Sequence, residues 1–348
     1  MKQLNLKTIQ KSYFIAEIGS NFNGSLNKAK DLISLAKSSG ADAVKFQHYT
    51  ADTLVSDHGF KNLENKSHQS LWSKSVFDTY RDAELNVIWT KELSEYCSKE
   101  KIDFITSPYS FELSDLTESY VSAFKIGSGD ISWTELIKHI ANKNKTIFLA
   151  TGASNLEDVI RAMNVINQKD NLVLMQCNTN YEDSSENLKY QNISVLNKFK
   201  ELFGNINLGL SDHTKSHIGV VCSIALGAKF FEKHFTDSNE NEGPDHLFAL
   251  NPEKFKEMIS LAREAEEMLG SPNKKVEENE QEAFIVQRRS ICLNKNLMSN
   301  HIIAEEDLCY LRPRLQDSFD PWQKDLVIGK KLKKDILKFQ PLIKQDLI

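Results

Sequence analysis

Leu208-Gly209-Leu210-Ser211-Asp212-His213 and Phe230-Phe231-Glu232-Lys233-His234 are built alike. Each is a short apolar, β-prone run that closes on polar residues and then a histidine. An amphipathic run at 216–226 lies between them, so the pair reads as strand, helix, strand. Working outward from this unit, the same alternation recurs along the chain. Apolar segments at 13–18, 43–47, 104–107, 123–126, 147–150 and 172–176 precede those at 206–210 and 230–234. Amphipathic runs at 26–38, 92–99, 132–143 and 156–167 fall between most of them. Short buried strands alternating with helices imply a parallel sheet covered by helices. Eight such units in roughly 270 residues match a closed (β/α)8 TIM barrel, an α/β fold.

The spacing between the second and third segments is about twice the others. It holds residues 57–88, with Trp72, Phe77 and Tyr80 among polar residues. This predicts an insertion over the barrel mouth, acting either as a lid or as a packed excursion. After Gly270 the texture becomes polar and charged, which predicts a linker over 271–287. A small second domain is expected over 288–348, after a barrel domain over 1–270.

Composition narrows the function classes. The chain has 348 residues, a formal net charge of -5 and 40% hydrophobic residues. No long basic block is present, so nucleic acid is a poor partner. No apolar run suits a signal peptide or a membrane span. Cys97, Cys177, Cys222, Cys292 and Cys309 are odd in number and without a close pair, which fits a reducing cytoplasm.

In such a barrel the chemistry belongs to the C-terminal ends of the strands. Read in order, these ends carry Glu17, Lys45 with Gln47, Thr106 with Ser107, and Lys125 with Ser128. Thr151 with Ser154, residues 178–181, Ser211 with His213, and Glu232 with His234 follow. Two lysines, several hydroxyls and the Gly127-Ser128-Gly129 turn suit a small, strongly anionic group. His213 and His234 would offer two imidazole nitrogens to a divalent ion and leave positions for water and substrate. With only two histidines in oxygen-rich surroundings, manganese fits better than zinc, with magnesium or cobalt as alternatives. Glu17 and Glu232 close the first and eighth strands, neighbours once the barrel shuts. They are candidates for activating water or holding a sugar hydroxyl.

The motifs Ala16-Glu17-Ile18-Gly19-Ser20-Asn21, Val44-Lys45-Phe46-Gln47, Phe124-Lys125-Ile126-Gly127-Ser128-Gly129 and Leu210-Ser211-Asp212-His213-Thr214 resemble those of the sialic acid synthases. So do Glu232-Lys233-His234-Phe235-Thr236 and Gly243-Pro244-Asp245-His246. Arg288-Arg289-Ser290, Arg312-Pro313 and Ile328-Gly329-Lys330 resemble the small antifreeze-like (SAF, β-clip) domain that ends the family. The resemblance implies condensation of phosphoenolpyruvate with an open-chain N-acyl amino hexose to a nine-carbon 2-keto acid, with phosphate lost by C–O cleavage. It implies a metal on His213 and His234 that polarises the aldehyde. Lys45, Lys125, Ser128 and Ser211, with Ser107 and Ser154, match positions that hold phosphoenolpyruvate. Glu17, Tyr181, Glu232 and Asp245 match positions near the sugar or the water, and Gln47 lies in the same strand motif as Lys45. Arg312 matches an arginine that meets the sugar's N-acyl group in a partner's barrel, which implies a domain-swapped homodimer.

Four departures from the family pattern stand out, and the last of them bears on the acceptor. Phe22 stands where an imidazole is usual, Asp130 replaces a longer carboxylate, and Glu182 replaces a proline. Arg312-Pro313-Arg314-Leu315-Gln316 lacks two glycines. Two alternatives stay open: condensation with a phosphorylated or unacylated sugar, and an inactive sugar-binding homologue.

Overall fold

Eight parallel strands close on themselves in the order β1 to β8. They are β1 (Tyr13–Gly19), β2 (Ala43–His48), β3 (Asp103–Pro108), β4 (Ala123–Ile126), β5 (Thr146–Ala150), β6 (Leu172–Cys177), β7 (Asn207–Asp212) and β8 (Phe230–His234). The computed structural model describes residues 1–64, 69, 72–181 and 185–348. Glu182 and part of the expected insertion (65–68, 70 and 71) lie outside the described residues. Closure is made by the parallel pairing of β1 with β8, where Glu17 lies in register with His234.

The alternation of side chains explains both faces of this sheet. Phe14, Ala16, Val44, Phe46, Phe104, Phe124, Leu172, Leu174 and Phe231 point outward and pack under the helix layer. Their neighbours point into the lumen. Ile15, Ala43, Ile105, Ala123, Phe148, Val173, Met175 and Phe230 fill its lower part, with Leu4 and Leu6 of the N-terminal segment. Two residues further along the strands the inward positions turn polar: Glu17, Lys45, Ser107, Lys125 and Glu232. An apolar layer therefore closes the bottom of the barrel, and a polar floor lies directly above it.

Some of the helices start where the sequence offers caps. Ser25 accepts from the Lys28 N–H at the start of Leu26–Ser38, and Asn155 with Asp158 forms a reciprocal box at the start of Leu156–Asn164. The region between β2 and β3 contains the short helices Ala51–Leu54, Asp57–Lys61 and Val76–Asp82. It is held at its root by His48, whose ring meets Thr106 Oγ1 at 2.5 Å and Thr90 Oγ1 at 2.8 Å. Thr106, expected at the site, faces outward instead, because it sits one residue out of phase with Ser107.

Burial pushes the His48 imidazole down to about 3. An unfolded histidine titrates near pH 6.5, so the unfolded chain binds the extra proton first. The contribution of His48 is thus complete above about pH 6.5 and is lost as pH falls toward 3, at roughly 1.4 kcal/mol per pH unit. Urea denaturation of the protein and of His48→Gln checks this: their stability gap should narrow from pH 6.5 to 4. A gap constant across that range would exclude a neutral, buried His48.

Packing divides the chain into two units, Met1–Gly270 and Ser271–Ile348. The second unit has its own core of Ile291, Leu293, Ile303, Val327, Leu332, Ile336 and Leu342. Its strands β9 (Ser290–Leu293) and β10 (Leu308–Leu311) pair antiparallel. The expected linker over 271–287 is partly helical, at Glu278–Glu280 and Gln281–Val286. Phe284 lies under the Arg288 and Arg314 guanidinium groups, and the Arg314 N–H donates to the Ile285 carbonyl. Those residues pack on the second unit, which shortens the free spacer. Arg314 also donates through Nε to Asp320 Oδ1 at 3.0 Å, so the glycine-free stretch after Arg312 is occupied by a packed side chain.

Candidate active site

The polar floor is a chain of charges buried beneath an open cavity of about 460 Å³. Lys45 Nζ lies 2.8 Å from Glu17 Oε2 and 3.8 Å from Glu232 Oε1. Lys125 Nζ lies 2.7 Å from Glu232 Oε2. Glu232, two positions above Phe230 on β8, thus bridges lysines that arrive from β2 and β4. Ser107 and Ser211 complete the floor, 3.3 Å from Lys45 and Lys125 respectively. The Gln47 amide donates to Glu17 Oε1 at 2.6 Å.

The two carboxylates of this chain differ. Burial would raise the Glu232 carboxyl, but the ammonium groups of Lys125 and Lys45 outweigh it and hold it down at about 2. Burial also raises Glu17; Lys45 opposes it, and the nearby Glu232 charge adds to the rise, so Glu17 ends above the usual range. Glu232 is a fixed anion, and Glu17 is the carboxyl more easily protonated.

Beside the floor stand the two histidines, their ring centroids 5.4 Å apart. His213 Nδ1 meets the Asn178 carbonyl at 2.9 Å, which orients its ring. His234 Nδ1 is buried without a hydrogen-bond partner, and burial with the neighbouring His213 and Lys45 charges holds its pKa well below the ordinary value. A neutral, unpartnered imidazole nitrogen is a fitting ligand for a divalent ion. Asp245 Oδ2 lies 3.8 Å from it. The Tyr181 ring packs on both imidazoles, with centroids at 4.5 and 6.2 Å. Among the described residues no group of three or more His, Cys, Asp or Glu is arranged around one ion.

The loop that carries His213 is fastened from outside the lumen. Lys233, on the opposite face of β8 from Glu232, pairs with Asp212 Oδ2 at 2.8 Å. It also donates to the carbonyls of Thr214 and Ser216, while Asp212 Oδ1 accepts the Thr214 N–H at 2.8 Å. The Asp245 loop has its own anchor. Gly19 has φ +53°, and a Cβ there would fall 2.5 Å from Asp245 Oδ2, so only glycine admits that carboxylate.

Glu17, Lys45, Gln47, Ser107, Lys125, Ser128, Asp130, Tyr181, Ser211, His213, Glu232, His234 and Asp245 all line one cavity. Ser154 does not line it; its hydroxyl turns back to the Thr151 carbonyl at 2.8 Å, closing the turn before the next helix. Arg312 belongs to the second unit, where it is exposed. Thr179, within the expected stretch 178–181, lines it too, whereas the sequence reading missed Tyr49 and Tyr109, which also line the cavity. Tyr49 and Tyr109 each follow the last residue of a strand, a position that extending β2 and β3 by one residue would have exposed.

A closed (β/α)8 barrel with buried lysines, carboxylates and an imidazole pair at the top of its lumen is the class that fold and site define. Residues 32–274 match the NeuB family. The chain is 34% identical over 308 residues to N,N'-diacetyllegionaminic acid synthase of Legionella pneumophila, covering 86% of this chain and 85% of that protein. It is 30% identical over 345 residues to pseudaminic acid synthase of Campylobacter jejuni, covering 98% of each. In fold it matches N-acetylneuraminic acid (sialic acid) synthetase of Leptospira borgpetersenii with a TM-score of 0.70 at 23% identity, over 81% of this chain and 95% of that one. This chain belongs to the NeuB family, whose named relatives make nonulosonic acids.

Proposed function

We propose that this protein is a nonulosonic acid synthase that joins phosphoenolpyruvate to an open-chain N-acyl amino hexose. In that reaction C3 of phosphoenolpyruvate bonds to the aldehyde carbon, whose oxygen takes a proton. Water adds at C2, and phosphate leaves as the C2–O bond breaks. The observation that carries this reading is the pair of buried lysines, Lys45 and Lys125, in one cavity with His213 and His234.

Lys45 and Lys125, with Ser107, Ser128 and Ser211, hold the phosphate and carboxylate of phosphoenolpyruvate. Glu232 keeps the two ammonium groups charged and aimed at the same volume. Glu17, held by Gln47, is placed to pass a proton to or from the water that adds at C2. Tyr181, Asp130 and Asp245 face the acceptor. A divalent ion on His213 and His234, manganese first and magnesium or cobalt as alternatives, supplies Lewis-acid polarisation of the aldehyde. Arg312 is assigned to the N-acyl group, the second unit to the antifreeze-like module of the family, and the protein to a cytoplasmic, domain-swapped homodimer. Among the described residues no helix is long and apolar enough to cross a membrane.

Phosphate release from phosphoenolpyruvate with manganese, across N-acyl hexoses and phosphorylated sugars, tests this. Release with an N-acyl hexose should vanish with EDTA. In His213→Ala it should fall on the order of 10³-fold, as loss of several kcal/mol of charge stabilisation requires. Release only with a phosphorylated sugar would move the protein to another acceptor class. Sugar binding without release would make it a binding protein.

A further inference from the structure

Asp245 lines the cavity but is poorly held by its own contacts. The Ser20 N–H donates to its Oδ2 at 3.4 Å, a long bond, and His234 Nδ1 lies 3.8 Å from the same oxygen. Burial and the nearby Glu17 charge both work against a carboxylate there. Left to itself, this side chain would turn out toward water, so its place depends on the loop that carries it.

The hold lies in the next residue. His246 is fully buried, with a ring nitrogen against each of two loops. Its Nδ1 meets Thr236 Oγ1 at 2.6 Å, just past β8, and its Nε2 meets Asn23 Oδ1 at 3.1 Å, in the loop after β1. The Asn23 amide N–H donates to the Glu242 carbonyl at 3.3 Å, which turns Oδ1 toward the ring. Nε2 therefore carries the proton, and Nδ1 accepts from the Thr236 hydroxyl. Burial and the Lys28 charge push the imidazole down to about 4, so the ring is neutral, as this pattern requires. The backbone is fitted to it: a Cβ on Gly243 would fall 2.7 Å from His246 Cδ2. The Asn239 amide fastens the same turn, donating to the His246 and Ala249 carbonyls, each at 2.8 Å. Two residues beyond His246, the Phe248 ring packs on His234 at 4.8 Å and on Tyr181 at 5.2 Å.

We propose that His246 is a positioning residue, whose bond to Asn23 ties the loop after β8 to the loop after β1 and so holds Asp245 toward the acceptor. This rests on the synthase reading above and adds a residue that does not itself line the cavity. The phosphoenolpyruvate floor stands on other strands and is independent of this tie.

The test separates the two ring nitrogens, by phosphate release with manganese and the N-acyl hexose that serves best. In His246→Asn the short amide reaches Thr236 but not Asn23, whereas in His246→Gln the longer amide reaches Asn23. His246→Asn should lower kcat/KM for the acceptor about 10- to 100-fold, the loss that a misplacement near 1 Å produces, with the KM for phosphoenolpyruvate unchanged. His246→Gln should recover most of that loss. Asn23→Gly breaks the same link from the other side and tolerates the positive φ at that position. It should match His246→Asn, add little when combined with it, and serves if the His246 variants do not fold. Equal losses in the Asn and Gln variants, additive losses in the double variant, or a parallel rise in the KM for phosphoenolpyruvate would overturn the assignment and leave His246 a support of the fold. Absence of release by the unaltered protein with every sugar would instead overturn the synthase reading and this one with it.

Discussion

Lys125→Met should lose at least about 10³-fold in phosphate release at saturating acceptor, more than loss of a single neutral donor to a developing anion usually costs. The Lys125 amine is buried, 2.7 Å from Glu232 Oε2. Its removal strips the floor of one of two cations. It also leaves Glu232 buried with only Lys45, at 3.8 Å. Breaking a buried pair from one side costs about 3–5 kcal/mol, because the remaining charge is uncompensated. Stability and activity therefore fall together in the single variant and separate in the double one. Lys125→Met with Glu232→Gln should recover most of the denaturation midpoint and none of the turnover. Recovery of both would show that Lys125 serves only to neutralise Glu232.

Lys233→Met is expected to lower stability by about 3–5 kcal/mol on the same reasoning, because it leaves Asp212 buried without its cation. Its second effect is the informative one. The Lys233 ammonium fastens the carbonyls of Thr214 and Ser216, so without it the loop that presents His213 loses its anchor. Positioning partners of metal-ligating histidines typically matter 10- to 100-fold in affinity, and manganese titration of Lys233→Met should show a loss of that size. Lys233→Arg keeps the charge and should lose less. Unchanged manganese affinity in a destabilised Lys233→Met would mean that Lys233 supports the fold and not His213.

The strands were the most legible part of this chain, because they are buried on both faces and so read as short, near-continuous apolar runs. The segments 123–126 and 230–234 match β4 and β8 at both ends, and the others differ by one or two residues. The largest difference is at β7, which runs to Asp212: Ser211 and Asp212 are polar, but they remain in the ladder because Glu232 and Lys233 pair with them. The same pattern identifies most of the floor, since polar residues at inward positions of an apolar strand have few other uses. Thr106 was misread because its strand end was known but its phase was not. Ser154 was misread because a hydroxyl in a tight turn finds a backbone carbonyl sooner than a substrate. The part of the cavity lining that comes from the region between β2 and β3, which includes Phe60, Gln69, Trp72, Thr79 and Tyr80, was the least legible. Trp72 and Tyr80 stand out in composition, but nothing in their spacing says that they face the lumen and not the outside.

The stacking of the polar floor on the apolar plug, one strand step apart, governs how this chain tolerates changes in length. Deleting one residue within β2 would rotate Lys45 out under the helices and bring a neighbour such as Val44 or Phe46 inward, losing the floor and part of the plug at once. Length variation is thereby confined to the connections, where residues can be added or removed without a change of phase. The longest of these connections runs between β2 and β3. The strands keep the count, and a change of length in that connection leaves their phase untouched.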